Sequence, residues 1–198
     1  MVSPATEVGM KDKIQVFDDV VPKQLSDTAL HTFSSDSFTW FWNNATVDPR
    51  LKDFPQLVHP FRLNTMQEYP HLDMFDQFRR RAFDTVKGIF ERGTEAAGLD
   101  AGTIDRIKAN LTWPNRVKMG AAHTDMAPDY YYSMIYYIND ADGDTVFFSQ
   151  GDSPENEIAR VSPKKGRLVV FPSNISHAGE CPTHTLRRMV VNYVFTVL

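Results

Sequence analysis

Apolar residues recur along this chain with two different periods, and the change of period divides it. Leu72, Phe75, Phe78, Ala82, Val86 and Phe90 follow the three-and-four spacing of a helix with one buried stripe. That spacing predicts a helix over Leu72–Ala97, closed near Gly98. A shorter helix is expected over Pro22–Phe33, with Ser26 or Asp27 near its beginning, after a strand at Ile14–Phe17. Beyond Asp105 the pattern becomes short apolar runs separated by turn-formers. Strands are expected at Arg106–Thr112, Arg116–Met119, Ser133–Ile138, Thr145–Phe148, Arg160–Ser162, Leu168–Phe171 and Met189–Val197. Helices first and about seven short strands afterwards predict a mainly β (α+β) domain: a jelly-roll or barrel of antiparallel strands buttressed on one side by helices. Trp40–Tyr69 is irregular, and its aromatics read as packing of a loop-rich layer onto the sheet. The acidic stretch Gly151–Glu157 reads as an exposed loop.

Composition narrows the classes. At 198 residues and 42% hydrophobic, the chain is expected to be one domain with a sizeable core. A net charge of −4 gives no broad attraction to nucleic acid or acidic membranes, so neither is expected as a partner. Arg79-Arg80-Arg81 falls on the long amphipathic helix and reads as a solvated face. The single cysteine, Cys181, cannot form an intramolecular disulfide, and the N-terminus lacks the pattern of a signal peptide. No apolar run is long enough to span a bilayer, so a cytoplasmic location is expected.

The chemistry is concentrated in the second half. His-x-Asp occurs twice, and secondary structure separates the two occurrences. His71 and Asp73 open the long helix, where residues two apart point to nearly opposite sides. His123 and Asp125 lead into the aromatic run Tyr130–Ile138, and in extended backbone residues two apart share a face. His177 follows 52 residues later, in a turn after the strand Leu168–Phe171. Two imidazoles and a carboxylate on one triangular face leave further positions of an octahedral ion open, which suits iron(II), while zinc accepts the same donors. A cupin-like isomerase or hydrolase could therefore use this triad as well as an oxygenase.

Several motifs in order resemble the iron(II)- and 2-oxoglutarate-dependent dioxygenases: Arg106-Ile107-Lys108-Ala109-Asn110-Leu111, His123-Thr124-Asp125, Ile135-Tyr136-Tyr137-Ile138-Asn139, Gly143-Asp144-Thr145, Arg167-Leu168-Val169-Val170-Phe171, His177-Ala178-Gly179 and Arg188-Met189-Val190-Val191-Asn192. The N-terminal region is similar to the support layer of prolyl-hydroxylase-like members, and the whole looks most like small oxygenases of marine bacteria and their phages. The resemblance implies a double-stranded β-helix core over 104–198, supported by 1–103. It implies iron(II) held by His123, Asp125 and His177, with 2-oxoglutarate and O2 as cosubstrates. It further implies hydroxylation of an unidentified small-molecule or peptidyl substrate, coupled to decarboxylation of 2-oxoglutarate to succinate and CO2.

In that family a basic residue about ten positions past the second histidine anchors the distal carboxylate of 2-oxoglutarate. Arg187 and Arg188 both fall there. Strand alternation favours Arg188, which shares a face with Asn192, and the resemblance adds Tyr137 as a further carboxylate partner. For Asn110 and Trp113 core packing is expected. Two departures from the prolyl-hydroxylase pattern, the short Gly120-Ala121-Ala122 lead into His123 and Met119 in place of a tyrosine, weaken a peptidyl-proline substrate.

Overall fold

In the computed structural model, which describes residues 9–44, 54–63, 76–151 and 153–198, the short apolar runs become two facing antiparallel sheets. The elements are β1 (Gln15–Phe17), α1 (Lys23–Ser34), β2 (Phe41–Asn43), β3 (Gln56–Leu63), α2 (Asp76–Ala97), β4 (Ala101–Thr112), β5 (Tyr131–Tyr137), β6 (Thr145–Phe148), β7 (Glu157–Val161), β8 (Leu168–Pro172), β9 (Ser176–Gly179) and β10 (Arg188–Val197). The larger sheet has the order β1-β8-β5-β10-β4-β3-β2, and the smaller β7-β6-β9. The smaller sheet is extended by backbone bridges from His123 to His177 and from Met119 to Glu180. This is the double-stranded β-helix expected from the sequence, with its helices on one side.

Alternation on the central strands decides what goes where. On β10, Met189, Val191, Tyr193 and Phe195 join the core beneath the helices, as do Met134 and Tyr136 of β5 and Val86, Ile89 and Phe90 of α2. The opposite faces carry Val190, Ile135 and Tyr137, which pack between the two sheets with Phe147, Val169 and Phe171. Helix and sheet approach closely at one point: a Cβ added to Gly93 of α2 would lie 2.2 Å from the sulfur of Met134. Gly98, at φ +65°, ends α2 with the left-handed cap that glycine adopts without strain.

Several elements differ from expectation. Trp40–Tyr69 contains β2 and β3, which lengthen the large sheet beyond β4. Pro60 obscured β3, since proline cannot donate to a ladder; here it sits beside an irregularity between Pro60 and Arg62, past the end of the β2 pairing. The aromatics of this region do pack as expected: Phe38 lies 4.9 Å from both Phe33 and Trp40 and 4.5 Å from the His59 ring. Arg116–Met119 is no strand, and only Met119 makes a bridge. Ser26 and Asp27 follow an N-cap formed by Pro22, and no side chain caps α1. His71 and Asp73 lie outside the described residues. So do the start of the long helix and the side chains of Arg79 and Arg80, while Arg81 is exposed.

Candidate active site

The backbone places the three expected donors without a long strand. His123 and His177 exchange two hydrogen bonds, N–H to carbonyl at 3.0 and 2.9 Å, and the Asp125 N–H donates to Ser173 O at 3.0 Å. This pairing across the mouth of the small sheet brings the donor atoms of His123, Asp125 and His177 within 4.8 Å of one another. Each imidazole Nδ1 contacts a backbone carbonyl, Ala121 O at 3.2 Å for His123 and Ile175 O at 3.1 Å for His177. That bond holds the proton on Nδ1 and turns the Nε2 lone pair inward. Both Nε2 atoms lie 3.7 Å from an oxygen of Asp125, one on each.

The electrostatics suit a cation. Burial lowers the His123 pKa to about 4, helped by His177, so its ring is a neutral donor at neutral pH. Burial alone would push the Asp125 carboxyl up; Arg106, His177, Ser133 and His123 outweigh it and hold the group well below the usual carboxylate range. The Asp125 side chain has 0% exposure. Its Oδ1 is in close contact with Arg106 Nη2, and its Oδ2 accepts from Ser133 Oγ at 2.6 Å. Each carboxylate oxygen can accept twice, so both retain a lone pair for a metal. The donor set therefore fits iron(II).

A cavity of about 350 Å³ extends from the triad along the inner face of the large sheet, lined by Arg188, Val190 and Asn192 of β10 and by Arg106, Lys108, Asn110 and Thr112 of β4. Arg188 is 6% exposed. Its Nε donates to Gly143 O at 2.7 Å and its Nη2 to Thr145 Oγ1 at 2.8 Å. Two of five N–H groups are thus used, leaving a charged fork in the cavity wall. Arg187 is exposed and donates to Ser34 Oγ at 3.0 Å, away from this cavity.

The other two residues expected at the cosubstrate both have protein partners. Tyr137 faces the barrel interior but does not line the cavity. Its hydroxyl donates to Thr145 Oγ1 at 2.7 Å, and its ring lies under Arg188, 5.6 Å from Cζ. Asn192 lines the cavity with its carbonyl engaged by Arg106, from Nε at 3.1 Å and Nη2 at 2.8 Å. It thereby steadies the guanidinium that meets Asp125. Asn110, expected in the core, lines the cavity. Trp113 stands outside, 5.8 Å from Trp42, which is 61% exposed. Met119, at one of the two departures, packs against Val146, Phe148 and Ala178.

Arg106, Lys108 and Ser133 were not anticipated as site residues. For β4 a signal existed: Arg106, Lys108, Asn110 and Thr112 are polar at every second position, while Ile107 and Ala109 between them are buried. The cysteine takes no part. Cys181 is buried and its pKa is raised by burial to about 11, leaving an unreactive thiol.

Residues 113–196, which include the triad and Arg188, match the family model of the 2OG-Fe(II) oxygenase superfamily. Over that span, 84 of the 198 residues, the chain is similar to this superfamily. Members use Fe(II), 2-oxoglutarate and O2. No curated protein matches the chain in sequence. The chain is similar in fold to a 2OG-Fe(II) oxygenase family oxidoreductase from Burkholderia pseudomallei, with TM-score 0.64, 15% identity, and 98% of this chain and 91% of that one covered. It is similar to a prolyl hydroxylase from Trichoplax adhaerens solved with a hypoxia inducible factor peptide fragment, with TM-score 0.62, 9% identity and coverage of 97% and 89%. A Pseudomonas putida prolyl-4-hydroxylase gives TM-score 0.59 and 16% identity, with 98% and 99% covered. Among the described residues no helix is long and apolar enough to cross a membrane.

Proposed function

We propose that the chain is a hydroxylase: His123, Asp125 and His177 hold Fe(II), Arg188 anchors the distal carboxylate of 2-oxoglutarate, and a small-molecule or peptidyl C–H bond is oxidised. The observation that carries this reading is the pairing of the triad with a buried guanidinium in one cavity. Bound iron supplies the oxygen activation; overall, 2-oxoglutarate, O2 and substrate give succinate, CO2 and hydroxylated substrate, with one oxygen atom going to each organic product. The chain's own residues bind, orient and exclude water. Arg188 lies four residues from Asn192 on β10, roughly 13 Å of backbone, and both side chains point into the cavity. Arg188 and the triad line the same cavity, which is the arrangement a diacid held at one end by a metal and at the other by an arginine needs. Ser133 and Arg106 hold the Asp125 carboxylate ionised and oriented. No acid or base from the protein is needed at the C–H step.

The test is anaerobic. Fe(II) and then 2-oxoglutarate are added to the apo-protein, and the weak visible charge-transfer band of the chelated 2-oxo acid is followed in wild type and in His123→Ala. The band is expected in wild type and absent in the variant. Iron bound without a band would favour a cupin-like metal protein that needs no 2-oxoglutarate; unchanged iron affinity in His123→Ala would remove the metal site itself.

A further inference from the structure

The cavity has a second polar wall that the triad and Arg188 do not use. β4 and its neighbour β3 contribute Lys108, Asn110, Thr112 and Gln56. Asn110 Nδ2 donates to Gln56 Oε1 at 2.7 Å. Gln56 Nε2, Asn110 Oδ1 and Thr112 Oγ1 are buried without a hydrogen-bond partner, in a strand pair where Gln56 is 2% and Thr112 6% exposed. Exchanging O and N in both carboxamides changes nothing essential. One amide hydrogen bond joins the pair, so one NH2 and one C=O remain unmet either way. Buried polar groups in folded proteins are nearly all satisfied, so three unmet atoms lining one cavity call for a partner.

Charge points the same way. Three cations line the cavity. Arg106 is neutralised by Asp125, and Arg188 is assigned above to the distal carboxylate of 2-oxoglutarate. Lys108 has neither an ion pair nor a hydrogen bond among the described residues. Burial lowers its pKa to about 8, Arg106 adds to the decrease, and Asp125 only partly opposes it. The register puts Lys108 beside Asn192, Asn110 beside Val190 and Thr112 beside Arg188. The β4 wall therefore runs parallel to the β10 wall, one strand spacing or about 4.8 Å away.

We propose that this wall is the substrate subsite and that it selects a small free carboxylate of amino-acid type. Lys108 receives the carboxylate, and the Asn110–Gln56 pair with Thr112 meets a donor and an acceptor of the same molecule. The inference rests on the oxygenase reading above. A cavity of about 350 Å³ accommodates 2-oxoglutarate together with a ligand of amino-acid size.

Binding is read without turnover, by saturation-transfer NMR on the full chain loaded with zinc(II) and 2-oxoglutarate as a diamagnetic stand-in for the iron form. The probes are the twenty free L-amino acids and, separately, their carboxamides. At least one free acid is expected to bind ten-fold or more tightly than its carboxamide, and to lose that preference in Lys108→Met and Lys108→Gln. Thr112→Val, a near-isosteric change, should weaken the same probe three-fold or more. In the anaerobic Fe(II) titration the Lys108 variants should bind 2-oxoglutarate within two-fold of wild type. No probe binding, equal binding of acid and carboxamide, or a preference that survives Lys108→Met would each overturn the proposal. So would loss of 2-oxoglutarate affinity in the Lys108 variants, since Lys108 would then serve the cosubstrate. Failure of the oxygenase reading looks different: wild type itself would give no charge-transfer band.

Discussion

Replacing Arg188 by alanine tests the cosubstrate anchor most directly. In the folded chain the guanidinium is almost fully buried and is held in plane by Gly143 O and Thr145 Oγ1, with the Tyr137 ring beneath it. Burial pushes the guanidinium pKa down, yet an arginine retains its charge. Nothing else within its reach on β10 supplies a positive charge, because Arg187 faces Ser34 on the outside. Removing one partner of a buried, hydrogen-bonded charge pair costs about 2–4 kcal/mol, or roughly thirty- to 700-fold in Kd. Arg188→Lys keeps the charge but loses the fork, and is expected between wild type and alanine. Arg187→Ala should leave Kd unchanged. The assay is the anaerobic charge-transfer titration with 2-oxoglutarate, run well below the melting temperature. That precaution matters because the alanine variant strands Gly143 O and Thr145 Oγ1 and should lose about 1–3 kcal/mol of stability. Equal 2-oxoglutarate affinity in wild type and Arg188→Ala, with both folded, would refute the anchor; a large loss in Arg187→Ala instead would show that strand parity was misapplied.

Ser133→Ala removes the 2.6 Å hydrogen bond to Asp125 and should weaken Fe(II) binding about 10–100-fold, measured by competition with a chelator. Tyr137→Phe keeps the ring beneath Arg188 and should alter 2-oxoglutarate affinity less than about three-fold, whereas Tyr137→Leu forfeits about 1 kcal/mol of cation–π support and should cost about five-fold in the same titration. The Asp18 carboxyl is held at about 2, first by hydrogen bonds from Arg167, against an ordinary value of 3.8. A depressed carboxylate pKa stabilises the fold above pH 4 and loses that contribution as pH falls from about 4 to 2. Asp18 is partly exposed, so screening leaves about 1 kcal/mol. Thermal melts of Asp18→Asn and wild type should differ by a few degrees at pH 6 and converge near pH 2.

What the sequence made legible follows from burial. β5, β6, β8 and β10 are covered on both faces and read as apolar runs; in β10 the alternation even separates Arg188 from Arg187. β9 escapes notice because Ser176–Gly179 is short and lacks an apolar run. At Gly179 a Cβ would sit in ordinary contact with Arg188 Nη1, at 3.4 Å, so β9 packs directly against this guanidinium. Tyr137 does point between the sheets, yet its hydroxyl stops at Thr145, because face is a local property and reach depends on what lies above. The Arg106–Asp125 pair joins β4 to the segment before β5, a contact that no local period encodes.

The same alternation divides labour within single strands. On β4, Ile107 and Ala109 are sealed against the helices while Arg106, Lys108 and Asn110 form the cavity wall; on β10, Met189 and Val191 do the first and Arg188, Val190 and Asn192 the second. Because each inward side chain stands between outward neighbours packed beneath α2, its position is fixed by a core in which it takes no part. Rigidity at the site is thus supplied from the opposite face of the sheet. Charge can then be concentrated on the inner face, with Arg106, Lys108 and Arg188 all on adjacent strands, because their mutual repulsion is resisted by the packing behind them and relieved by Asp125 and by anionic ligands.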